Sequence, residues 1–186
     1  MTTIDATTVA PLQDTGTADR ILLGAASLFA LAVLVHNSDH LRRGADSIGR
    51  DVLWAGTAAV LVEVAAVVLA CQRHRLAPLA AVTIGWSLAP AYVLVHFLPA
   101  RSWLSDSFVS ASSVSPLSWF AASFEVVAAL ALGLAGWMVL RRRGGLASAA
   151  QPYRAERPLT TALLHPLALA MLAGNVVILV LTMAQL

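Results

Sequence analysis

The sequence predicts an all-α integral membrane protein with five transmembrane helices. Three observations carry that prediction. Hydrophobic residues fill 59% of the 186 positions and charged residues only 12%, against about 25% charged in a soluble domain. The mean hydropathy is +0.77, so polar surface is too scarce to cover a water-soluble globule and bilayer is the expected solvent. The apolar residues also fall in five continuous runs of about 20, the length a helix needs to cross the hydrocarbon core. They lack the alternation of a membrane β-barrel.

The first run extends from Ile21 to about His40 and ends in "HNSDHLRRG". The second covers Val52 to Cys71, before Arg73 and Arg75. The third covers Leu76 to Leu98 and the fourth Leu117 to Leu140, with the Ser-rich "ARSWLSDSFVSASSV" between them. The fifth runs from Leu159 to about Ala184. Residues 1–20 are polar and weakly acidic, without the basic and cleavable features of a signal peptide, and read as a disordered cytoplasmic tail. Residues 21–186 read as one transmembrane domain.

Arginine placement predicts the orientation. Eight arginines lie on the side of the N-terminal tail: Arg20, the pair Arg73 and Arg75, and five between the fourth and fifth spans. Four lie on the other side: Arg42, Arg43, Arg50 and Arg101. The N-terminus is therefore expected to be cytoplasmic and the C-terminus external. Trp54, Trp103 and Trp119 then fall at the external interface and Trp137 at the internal one. The stretch "RRRGGLASAAQPYRAERP" reads as a lipid-contacting linker. The external loop is either a plain connector or a cover, with Trp103 and Phe108 tucked into the mouth of the bundle.

Composition also excludes functions. All 12 basic residues are arginine, so a lysine Schiff base is impossible. One cysteine, Cys71, gives neither an intrachain disulfide nor a C-x-x-C pair. A net charge of +2 without a basic, aromatic-laced patch argues against nucleic acid. Lysine-free, alanine- and arginine-rich usage points to a GC-rich genome and so to a bacterial plasma membrane. The expected partner is the lipid bilayer, with a homo-oligomer or a membrane complex as further context.

An internal pattern is present. "VLVH" occurs at Val33 to His36 and again at Val93 to His96. Each copy precedes a polar loop and then a helix with one glutamate, Glu63 or Glu125. This predicts a duplicated two-helix hairpin, with the first four helices in a bundle and the fifth added to it. Coincidence in a sequence rich in valine, leucine and alanine is the competing explanation.

The polar residues inside the spans are the candidates for chemistry. An acidic residue at the bilayer centre costs about 3 kcal/mol, and such residues face the bundle interior. Glu63 and Glu125 are accordingly candidates for proton handling or ligation, or for a single interhelical hydrogen bond. His36 and His40 are one turn apart on one helix face and can share a metal. Asp39 can ligate, orient an imidazole, or pair with Arg42 or Arg43. His96 ends the third span at similar depth. His36, His40, His96 and Asp39 thus form the expected metal site. A b-type haem between His36 and His96 is the alternative cofactor. Counting residues from the span ends puts His36 about 6 Å deep and Glu63 about 16 Å deep, which means either that the span ends are shifted by a turn or that a histidine layer lies apart from a carboxylate layer. Pro90 removes a backbone donor and makes the third helix adaptable there. Asn175 is expected to hold helices together, and His165 to lie at the interface.

The leading functional expectation is therefore a membrane protein with a metal or haem site in its external half, in redox chemistry or metal handling. A small proton-coupled transporter or channel-like subunit using Glu63 and Glu125 is the second. An assembly subunit, whose polar residues only fix helix register, is the third.

Overall fold

A computed structural model describes residues 15–44, 47–100, 103–111, 114–147 and 157–185. Every regular element among them is helical: α1 (Thr15–Arg43), α2 (Arg50–Gln72), α3 (Ala77–Tyr92) continued by a π-helical turn (Val93–Phe97), α4 (Pro116–Arg142), α5 (Leu159–Leu163) and α6 (Pro166–Met183). Five are long and apolar enough to cross a membrane, namely α1, α2, α3 with its π turn, α4 and α6. The protein is an all-α, multi-pass membrane protein. Most of the N-terminal tail, Arg101, Arg154 and most of the linker after α4 lie outside the described residues.

The helix ends follow local chemistry. α1 continues past His40 to Arg43 and stops at Gly44, whose φ of +87° suits a residue without a Cβ. α3 contains Pro90 and widens into the π turn immediately afterwards. That turn ends at Leu98, which is extended because Pro99 follows it. α4 opens with Ser115 accepting a hydrogen bond from the Ser118 amide and with Pro116 in its first turn. The fifth run is not one helix. His165 precedes Pro166, adopts an extended backbone, and caps α6 through its own ring nitrogen, so α5 is a separate turn.

α1 to α4 form a four-helix bundle in which each helix packs against its sequence neighbours and α4 closes the ring on α1. α6 lies outside, against α1 and α2. The α3–α4 seam is the tightest. A methyl at Gly85 would meet the Ala129 carbonyl at 2.4 Å and the Gly133 amide at 2.6 Å, so the two backbones approach as small residues permit in membrane helices. Asn37 on α1 donates to Asn175 on α6 at 2.7 Å, and Asn175 donates to the Met171 carbonyl at 2.8 Å. Asn175 is thus the interhelical tie its depth predicted. At the opposite end, Arg143 and Asp19 join α4 to α1 at 2.8 Å.

In this ring α1 stands diagonally from α3, and α2 from α4. The histidines belong to the first diagonal and the glutamates to the second. All four polar groups that the repeated pattern singled out therefore face the interior: His36, His96, Glu63 and Glu125 are 5%, 2%, 2% and 2% exposed.

Candidate metal centre

His36, His40 and His96 meet at the end of the bundle. One ring nitrogen from each lies within 4.8 Å of the others. The Nε2 atoms of His36 and His40 are 2.9 Å apart. The His36 and His96 ring centroids are 4.8 Å apart. The i, i+4 spacing on α1 provides the first pair, and the π turn after Pro90 carries His96 across the bundle to them.

A fourth group, unremarked in the sequence, orders the cluster. Asp106, in the loop between α3 and α4, is buried beside His96. The His96 Nδ1 lies 3.2 Å from the Asp106 carbonyl and 3.5 Å from its carboxylate. An Nδ1–H that donates there leaves the Nε2 lone pair free to ligate, the arrangement usual for metal-bound histidines. Arg43 holds the Asp106 carboxylate with two hydrogen bonds, at 2.6 and 2.7 Å, a bidentate geometry that fixes the carboxylate plane. Asp106 is the one acidic residue in its loop, which was the available signal. The loop does cover the mouth, as one of its expected forms had it. Phe108 is buried against His96 at a centroid distance of 4.9 Å, whereas Trp103 points outward and is 69% exposed.

Asp39 is not among these groups. Arg42 binds it at 2.7 Å and reaches on to the hydroxyls of Ser115 and Ser118. It ties the end of α1 to the start of α4.

The glutamates join the cluster instead of forming a separate layer. Glu125 Oε2 is 3.5 Å from His36 Nε2. The Tyr92 hydroxyl donates to Glu63 and lies within hydrogen-bonding reach of Glu125. The depths differ from expectation because α1 runs on to Arg43. Counted from there His36 is about 10 Å deep, and Glu125, nine residues from Pro116, about 13 Å. Glu63 is deeper, and the length of the Tyr92 side chain bridges the difference. One connected polar network therefore runs from Arg43 and Asp106, through the histidines, to Glu125, Tyr92 and Glu63. A cavity of about 390 Å³ opens beside it, between α2, α3 and α6.

No family model, no curated protein and no solved structure matches the chain. The geometry of the site is what bears on function.

Burial works against the Asp106 carboxylate, but the Arg43 guanidinium and the His96 and His40 rings outweigh it and hold its pKa below the usual carboxylate range. A carboxyl whose folded-state pKa is depressed contributes stability that is fully present above its unfolded value of about 3.9 and is lost as pH falls through the folded one. The unfolding midpoint should therefore be insensitive to this group from about pH 7 to pH 5 and fall below about pH 4. In Asp106→Asn that acid limb should be shallower. An equally steep limb in the variant would show that the Asp106 carboxylate does not contribute to it.

Proposed function

We propose that the protein is a membrane metalloprotein that holds one divalent first-row transition-metal ion on His36, His40 and His96. The observation that carries this reading is the convergence of three buried imidazoles with ring nitrogens inside 4.8 Å. Ligands of one tetrahedral ion, each at 2.0–2.1 Å, sit about 3.4 Å apart, so small side-chain rotations close this set on an ion. Imidazole nitrogens without thiolate suit zinc, iron, copper or nickel. Three histidines with a further position open are typical of reactive rather than purely structural centres. Glu125 stands where it can fill or serve that position. The chemistry would be redox catalysis or metal handling.

An ion fits better than haem. A macrocycle must lie between its two axial imidazoles. The His36 and His96 rings meet edge-on at 4.8 Å, with His40 a further 4.5 Å neighbour of His36, and leave no slot for it.

The test is elemental analysis of gently purified protein, before and after exposure to each metal. About one ion per chain is expected. No uptake of any of them would refute the proposal.

The second reading, proton-coupled transport, is favoured by one observation: two buried carboxyls, Glu63 and Glu125, joined through Tyr92 and continuous with His36. The two readings differ in what Glu63→Gln does. Under the first it leaves metal content unchanged. Under the second it abolishes proton flux in liposomes.

The arginine distribution supports an external position for the cluster, and the lysine-free composition supports a bacterial plasma membrane. A cysteine at Gly44 should then react with a membrane-impermeant maleimide in intact cells, and one at Gly145 only after lysis. The reverse pattern would put the site on the cytoplasmic side.

A further inference from the structure

The cavity beside the histidines has two unlike ends. Its wall is apolar, built from residues such as Val52, Leu53, Val60, Leu88 and Leu179, and no arginine among the described residues lines it. Its inner end is polar. Glu63 Oε2, Glu125 Oε2 and His36 Nδ1 have no hydrogen-bond partner among the described residues, and all three side chains line the cavity and are more than nine-tenths buried. Buried polar atoms of this kind require a partner.

The packing of α2 explains why the space exists. From Glu63 onward α2 buries Ala66, Val67, Ala70 and Cys71 against the bundle. Between Leu53 and Val62 no residue is fully buried, and Leu53, Thr57, Ala59 and Val60 are only half-buried. The half of α2 nearest the histidines therefore stands away from its neighbours, with small residues Ala55, Gly56 and Ala59 on the cavity side. A cavity of about 390 Å³ falls within the range of about 300–1,000 Å³ of small-molecule sites.

From these observations we infer that the cavity binds an uncharged, membrane-soluble amphiphile, with a hydroxyl or carbonyl head hydrogen-bonded by Glu63, Glu125 and His36 and an apolar body lying along α2 and α6. An anionic head would face the Glu63 and Glu125 carboxyls with no arginine among the described residues to offset them, and a pure hydrocarbon would leave the three polar atoms unpartnered. The inference deepens the metal reading by naming the class of molecule that reaches the proposed centre from the lipid. Two sources share this chemistry, long-chain alcohols and lipid quinones.

The test uses the full chain in lipid nanodiscs and a diazirine-bearing dodecanol as probe, with cross-links mapped by mass spectrometry. Label is expected on α2 and α6 at the cavity wall. Excess unlabelled dodecanol or decyl-ubiquinone should displace it, and the stronger competitor identifies the source. Dodecane should not displace it. Gly56→Leu fills the space, since a Cβ at Gly56 meets nothing within 4 Å, and should lower labelling about tenfold. Val176→Phe, from the opposite wall, provides a second blocked cavity. Metal content is measured on every sample. Wild-type metal content with lost labelling supports the cavity site, whereas metal-free wild-type protein that still labels at the wall overturns only the metal reading. Equal displacement by dodecane, labelling elsewhere, or labelling unaffected in both variants would overturn the inference.

Discussion

His36→Ala and His96→Ala should each reduce bound metal from about one ion per chain to a small residue. Each removes one of three nitrogens and leaves an incomplete coordination sphere. His40→Ala should do the same, because His40 Nε2 is 2.9 Å from His36 Nε2 and shares its target. Glu125→Gln should weaken binding, since its carboxylate lies 3.5 Å from His36. Asp39→Asn should leave metal content unchanged, because Asp39 faces Arg42 and not the imidazoles. Elemental analysis of the purified variants, with helicity checked by circular dichroism, reads all of these. Retention of metal by His36→Ala and His96→Ala alike would place the ion elsewhere.

The largest loss of stability is expected from Arg43→Ala. Arg43 and Asp106 are 13% and 7% exposed at the side chain, and their fork closes at 2.6 Å. Removing one partner of a buried pair leaves the other charge uncompensated, at about 3–5 kcal/mol. Arg43 also lies over the Phe108 ring, 5.1 Å from its centroid, so the whole loop cover loosens. His96 then loses the group that orients it, and metal affinity should fall about 10- to 100-fold. Arg141→Ala is the control. Among the described residues it loses a cation–π contact with Trp137 at 4.9 Å and should cost about 1 kcal/mol or less. Thermal unfolding in detergent compares the two, and equal midpoints would show that the Arg43–Asp106 pair does not hold the loop.

The spans were legible because apolar runs and flanking arginines are local properties. His36, His40 and His96 were legible for a related reason, since a titratable residue inside a lipid-facing run needs an explanation. Asp106 was not. An aspartate in a Ser-rich loop resembles any solvated loop residue until the chain folds back and buries it under Arg43. Tyr92 was hidden similarly, because a tyrosine one turn before His96 reads as an ordinary interfacial aromatic. Of the two explanations for the mismatch in depth, shifted helix ends hold and separate layers do not. Stopping α1 at His40 instead of Arg43 misplaces His36 by three residues, about 4.5 Å, enough to make contact with Glu125 look impossible. The break at His165–Pro166 was visible as a dipeptide, but whether a proline bends or ends a membrane helix depends on the packing around it.

X-ray absorption spectroscopy at the edge of the bound metal reads the three-histidine site itself. A shell of nitrogen and oxygen at about 2.0–2.1 Å with the outer-shell scattering of three imidazoles is the expected spectrum, reduced to two imidazoles in any ion retained by His96→Ala. A spectrum with no imidazole scattering, or one unchanged in His96→Ala, would contradict it.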